Sequence, residues 1–103
     1  MEHGEVDLVK SVKAIEELKV DLVQAQYLFQ RGTLNGSENE MLQGLAELVG
    51  TSYLLTRRLG FDFSRLDRML LQQLEAWRTG AKSDLENNWG DLSLLLSYLA
   101  PED

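Results

Sequence analysis

An all-α fold of four helices, assembled as a bundle, follows from three features of the sequence. Apolar residues recur at three- and four-residue intervals, glycines fall mostly between those runs, and the lone proline, Pro101, comes at the far end. No run shows the strict apolar/polar alternation of a half-buried strand. A chain of 103 residues is expected to form a single domain spanning 1–103.

The first helix is expected from about Val6 to Arg31. Leu8, Ile15, Leu22 and Phe29 recur every seven residues, with Val12, Leu18 and Ala25 beside them. A second set, Val9, Val20, Val23 and Tyr27, lies around the cylinder from the first. An apolar arc this wide predicts burial by several partners, one of which can be another subunit. Lys19 and Gln26 fall near the first stripe and mark a rim or a wet interface. GTLNGS, residues 32–37, reads as a turn cluster.

Ser37 followed by Glu40 makes a capping box for the second helix, in which hydroxyl and carboxylate each satisfy a free backbone N–H. Met41, Leu45, Leu48, Ser52, Leu55 and Leu59 form its stripe, widened by Leu42, Ala46, Val49 and Tyr53. Ser52 interrupts the leucines, either by bonding back to its own helix or by admitting a neighbour. Gly60 suits the left-handed C-terminal position. Asp62 can cap a third helix carrying Phe63, Leu66, Leu70, Leu74 and Trp77, ending near Thr79-Gly80. Ser83 with Glu86 reads as a second capping box, opening a fourth helix through Leu85, Trp89, Leu92, Leu96 and Leu99 that Pro101 closes. Trp77 and Trp89 read as core or interface residues.

Ten basic against 17 acidic residues give a net charge of −7, and no basic stripe is visible. Nucleic-acid and anionic-membrane partners are therefore disfavoured. An acidic surface ordinarily serves solubility, although a cation site is compatible with it. No apolar run approaches the roughly 20 residues of a membrane span, and the start MEHGEVDLVK is no secretory signal, so a cytoplasmic protein is expected. Without cysteine there is no thiol chemistry. His3, the only histidine, sits at a chain end expected to fray, which removes Ser-His-Asp and histidine-rich metal sites. No phosphate-binding glycine loop is present.

Carboxylate chemistry remains: Mg²⁺ held by acids from facing helices, with substrate phosphates completing its shell. The candidates are Glu16, Glu17 and Asp21 on the first helix and Glu38, Glu40 and Glu47 on or around the second. Glu17 and Asp21, four apart, share a face. Read from spacing alone, such acids at the edge of an apolar stripe simply face solvent. Arg57 and Arg58 suit phosphate oxygens, or else complement the negative end of their own helix.

The run LAELVGTSYLLTRRLGFDFSRLD (45–67) resembles the core of the MazG-like proteins, within the all-α nucleoside triphosphate pyrophosphohydrolase superfamily. IEELKVDLVQAQYLF (15–29) is similar to that family's first core helix, and WGDLSLLLSYL (89–99) to the C-terminal helix of a short subgroup. The resemblance implies Mg²⁺-dependent hydrolysis of an NTP to NMP and pyrophosphate, by a homodimer or dimer of dimers. Its site would use an E-x-x-E pair on one helix and an E-x-x-D pair on a later one.

Here those motifs are incomplete. Glu47 matches the acid of the second motif, while Gly50 stands where aspartate belongs. Asp21 matches the second acid of the first motif, with Leu18 in the place of its partner. Glu17 is one residue off that place, a rotation of about 100°. The resemblance thus gives Asp21 and Glu47 as Mg²⁺ ligands, with Glu17 or Glu40 as helpers, and Arg57 and Arg58 are the candidate phosphate contacts by their own chemistry. Gly50, costly within a helix by roughly 1 kcal/mol against alanine, suggests close approach of a neighbouring helix. Two functions stay open: a nucleotide-binding or nucleotide-hydrolysing protein of the pyrophosphohydrolase type, and a catalytically inactive bundle serving as an interaction or regulatory module.

Overall fold

A computed structural model of the chain describes residues 2–100, with side chains described from Leu8 onward; Pro101, expected to close the last helix, lies outside the described residues. Among the described residues the regular structure is entirely helical. Five helices are present: α1 (Glu2–Asn35), α2 (Glu38–Arg58), α3 (Phe63–Thr79), α4 (Ser83–Trp89) and α5 (Asp91–Leu99). The chain divides into two compact units, Met1–Phe63 and Ser64–Asp103.

The first unit is an antiparallel hairpin of α1 on α2. α1 is longer than its period predicts at both ends. It begins at Glu2, so His3 lies in helical backbone, with its side chain outside the described residues. It also runs through Gly32, Thr33, Leu34 and Asn35, which sequence assigns to a turn. Gly32 is buried, and a methyl group placed there would sit 2.6 Å from the Met41 backbone nitrogen. This glycine therefore serves close packing between helices, not a bend. Thr33 stays helical by donating its hydroxyl to the Gln30 carbonyl at 2.7 Å.

The turn is only Gly36 and Ser37. Gly36 takes a φ of 68°, the left-handed conformation open to glycine. The Ser37 N–H then reaches the Gly32 carbonyl at 2.8 Å, and the Gly36 N–H the Thr33 carbonyl at 3.4 Å, the paired bonds of a Schellman ending. Ser37 caps α2 as expected, its hydroxyl accepting from the Glu40 N–H at 3.2 Å. The other half of the expected box is not formed. The Ser37 N–H is spent on Gly32, and Glu40 turns to Arg31 instead.

α2 ends where Gly60 predicts, at a φ of 96°, with Phe61 N–H to Thr56 at 3.1 Å and Gly60 N–H to Arg57 at 3.0 Å. Its contact face is Met41, Gly44, Leu48, Thr51 and Leu55, all buried or half-buried, whereas Leu42, Leu45, Val49 and Leu59 are exposed. The tightest approach is at Gly44. A methyl group there would meet the Phe29 nitrogen at 2.6 Å and the Ala25 carbonyl oxygen at 2.9 Å, and Ala25 is itself fully buried. Gly50 has nothing within 4 Å of an added methyl group, so the close approach expected of it belongs to Gly44. Ser52 bonds back to the Leu48 carbonyl at 2.7 Å, one of its two expected roles.

In the second unit, Leu66, Leu70, Leu74 and Trp77 supply the sheltered stripe of α3, with Leu74 buried and Lys82 Nζ 4.6 Å over the Trp77 ring. The expected fourth helix is two. Gly90 adopts a φ of 68°, ends α4 and starts α5, with Leu92 as the buried residue of the pair. Trp89, expected in a core or interface, is exposed in this chain. The Ser83/Glu86 box is replaced as well. Lys82 is the N-cap residue of α4 and makes no side-chain cap bond. Glu86 faces forward across the break, where its carboxylate accepts from the Ser93 N–H at 2.9 Å and from the Ser93 hydroxyl. It thus satisfies a free donor in the first turn of α5. α5 ends at Leu99, and Ala100 is extended, as a residue before proline is pushed to be.

Two glycines therefore respond oppositely to alanine. Gly44→Ala is expected to destabilise by about 1–3 kcal/mol, because the methyl group meets backbone that cannot yield locally. Gly50→Ala is expected to stabilise by roughly 1 kcal/mol through helix propensity alone. Urea unfolding of the two variants beside the parent measures both. A further check concerns Glu86, which the Ser93 hydroxyl, and then its N–H, hold below the ordinary carboxylate range. A depressed carboxyl contributes stability above its unfolded value and loses it as pH falls through the folded one. Glu86→Gln should therefore lower Tm at neutral pH, with the difference from the parent vanishing in acid; thermal melts across pH 2–7 read this out.

Candidate functional site

The antiparallel register set by Ala25, Phe29 and Gly44 carries down the hairpin and decides which acids meet. One turn before Ala25 on α1 stands Asp21, and one turn beyond Gly44 on α2 stands Glu47. Together with Gln24 and Thr51 they line one hollow of about 280 Å³. Asp21 also lines a neighbouring hollow of about 310 Å³ with Ala14, Glu17, Leu18, Leu54, Arg57 and Arg58. A third, of about 440 Å³, joins Asp21 and Glu17 to Lys13, Glu16 and Val20. Asp21 is the side chain common to all three.

The hairpin thus brings together Asp21 and Glu47, the two residues aligned with the metal motifs, and sets Glu17, Arg57 and Arg58 in the adjoining hollow. It does not bring Glu40 to them. The Glu40 carboxylate takes a two-pronged bond from Arg31, Nε to Oε2 at 3.3 Å and Nη2 to Oε1 at 3.2 Å. That pairing, hydrogen bond first and charge second, raises the Arg31 pKa, and the guanidinium carbon also lies 5.8 Å from the Tyr27 ring centre. Around the hollows the polar contacts are lighter. Gln43 donates to Glu47 at 3.3 Å, Lys13 lies 4.0 Å from Glu17, and Arg57 lies 3.8 Å from Asp62.

Gln24 and Thr51 are the residues that motif reasoning passed over. Their signal was present in the sequence. Gln24 follows Asp21 by three and Thr51 follows Glu47 by four, so each shares a helix face with its acid. At the two degenerate motif positions the structure differs sharply. Leu18 is half-buried and forms an apolar wall with Leu54, while Gly50 is exposed with open space beside it.

A family profile for the MazG-like family matches residues 8–92. The chain belongs to the MazG-like family. No curated protein and no solved structure matches it. The matched span starts within α1, takes in all of α2 and the residues lining the three hollows, and ends at Leu92 in α5. Membership ties this protein to relatives of the NTP pyrophosphohydrolases.

The donor set bears on Mg²⁺. Among the described residues no group of three or more His, Cys, Asp or Glu side chains is placed to hold a metal ion. Two carboxylates, an amide oxygen and a hydroxyl do line one hollow. Such a set suits a hard, oxygen-seeking cation only as a minority of its ligands, with phosphate oxygens and water filling the remainder. In this MazG-like protein, Mg²⁺ added alone should therefore bind weakly. Isothermal titration is expected to give a Kd no tighter than about millimolar, tightening when a nucleoside triphosphate is present.

Proposed function

We propose that this MazG-like protein binds a nucleoside triphosphate with Mg²⁺ carried in on its phosphates, and that pyrophosphohydrolase turnover is strongly reduced. The observation that carries the reading is the shared hollow of Asp21 and Glu47, joined through Asp21 to the hollow of Arg57 and Arg58. Asp21 and Glu47 would hold the cation, and it would neutralise phosphate charge and polarise a water. The planar guanidinium groups of Arg57 and Arg58 suit the phosphate oxygens. Glu17 lines the Arg57/Arg58 hollow with Asp21 and is a further acid beside it.

Reduced turnover follows from the motif positions. Leu18 offers no oxygen ligand, and Gly50 offers no side chain. Two acids where the family pattern has four leave the cation with fewer anchors and less charge, so the attacking water is held less firmly.

A second reading, an inactive helical module that binds another protein, is favoured by a different observation. Leu42 and Val49 on α2, Leu59 just past its end, and Trp89, Leu94 and Tyr98 in the second unit, are large apolar side chains left exposed.

The test follows pyrophosphate release and nucleotide-induced thermal shift with Mg²⁺ over a panel of ordinary, deoxy and noncanonical NTPs. The nucleotide reading expects a thermal shift that Asp21→Asn and Glu47→Gln abolish, with turnover near background. Restoring acids by Leu18→Glu with Gly50→Asp is expected to raise turnover by about tenfold or more. A parent that shows neither shift nor turnover with any nucleotide would leave the interaction module.

A further inference from the structure

At the joint between α4 and α5 the sequence pattern and the backbone pull in different directions. On an unbroken helix, at about 100° per residue, Leu85, Trp89, Leu92, Leu96 and Leu99 fall within an arc of about 80°. Such a stripe specifies one continuous helix over 83–99. The chain instead turns at Gly90, whose φ of 68° ends α4 and opens α5. The turn takes Trp89 out of the stripe: its side chain is 69% exposed, while that of Leu92 is 4% exposed.

Crowding does not impose this turn. A methyl group at Gly90 would have nothing within 4 Å beyond its chain neighbours, so the space for a helical residue is there. What holds the bend is the Glu86 carboxylate, which accepts from the Ser93 N–H at 2.9 Å and from the Ser93 hydroxyl. In an unbroken helix that same N–H would reach four residues back, to the Trp89 carbonyl.

One donor thus has two acceptors, and each choice fixes a shape. Bonded to Glu86, Ser93 belongs to a bent pair of short helices; bonded to Trp89, it belongs to a single straight one. The opposing terms are similar in kind and size. The bent form has charge-assisted bonds to a carboxylate, which are stronger than neutral ones. The straight form regains the helical bonds interrupted at Gly90 and regroups the apolar stripe.

We propose that α4 and α5 form a two-state joint: the Glu86–Ser93 clasp with a left-handed Gly90 holds Trp89 outward, and release of the clasp gives one straight helix over 83–99 with Trp89 drawn into its stripe. The joint sets how much apolar surface the second unit presents, since Trp89 stands with Leu94 and Tyr98 among its most exposed large side chains. It lies wholly within the second unit, so it holds or fails independently of the nucleotide reading.

Nitroxide labels on Asp84→Cys and Ser97→Cys read the shape by pulsed dipolar spectroscopy, in a chain with no other cysteine. Both positions are exposed. Their backbones stand about 20 Å apart in a straight helix and closer when the chain bends at Gly90. The parent is expected to give mainly the shorter distance. Gly90→Ala should raise the straight-to-bent ratio about tenfold or more, because alanine disfavours the left-handed φ and favours the helix. Gly90→Asn, which tolerates that φ, should stay bent. Glu86→Ala removes the acceptor without touching Gly90 and should raise the ratio about threefold or more. Helical circular dichroism should rise with the ratio, and Glu86→Ala decides alone if Gly90→Ala loses its helical signal. A parent already straight, alanine and asparagine variants at 90 that behave alike, or a Glu86→Ala chain with the parent's ratio would each overturn the proposal.

Discussion

The hairpin depends on how closely two helix backbones approach at Gly44 and Gly32. Side chains at either position would stand 2.6 Å from a backbone nitrogen across the contact, so the helices can pack this way only because nothing is there. Ala25, fully buried between them, completes the seam. The gain is registry. Ridges of large side chains can slide past one another by a turn at modest cost, but a glycine notch admits its opposing backbone at one place. With Gly44 seated against Ala25 and Phe29, Glu47 must fall beside Asp21 and Leu54 beside Leu18. The candidate site is thus a consequence of the seam one turn away.

Helical class was open to reading because period and capping act locally. Three- and four-residue spacing specifies a face whatever that face later meets, and Gly60 ends α2 through bonds confined to its own last turn. The breaks were less open, because glycine has two uses that sequence does not separate. Gly32 was read as a turn and is helical; Gly90 was read within a helix and breaks one. What distinguishes them is the neighbour. Gly32 has backbone pressed against it, whereas Gly90 has open space and a left-handed φ that only glycine takes cheaply. Glu86 shows the same limit for side chains. A serine three residues before it suggests a local box, yet a better donor, Ser93, comes within reach once the chain bends at Gly90.

At the site, that Asp21 and Glu47 would share a hollow was legible through family resemblance and not through spacing, since they stand 26 positions apart across a turn. Gln24 and Thr51 were available from helix periodicity around those acids. Glu40 could not be placed, because its fate depends on Arg31, a competitor nine residues earlier that faces it only after the chain reverses at Gly36. A fixed guanidinium fork satisfies both oxygens of a carboxylate, which leaves little lone-pair capacity for a cation.

Shedding acids from a cation site has two electrostatic effects that oppose each other. It weakens the hold on a bare divalent ion, since each lost carboxylate removes both a ligand and a charge. It also lessens repulsion toward a triphosphate, itself a polyanion, and Arg57 and Arg58 adjoin Asp21 to add attraction. The hollows are open and their ionic groups exposed, so water screens both effects and neither is worth what it would be in a dry interior. On the proposed reading, the balance tips toward retention of the nucleotide over activation of water. Binding draws on the summed field of arginines and whatever cation the phosphates bring with them, whereas hydrolysis demands a metal held still enough to aim one water. On the proposed reading, loss of two anchors falls hardest on the second requirement, so nucleotide binding would persist while turnover declines.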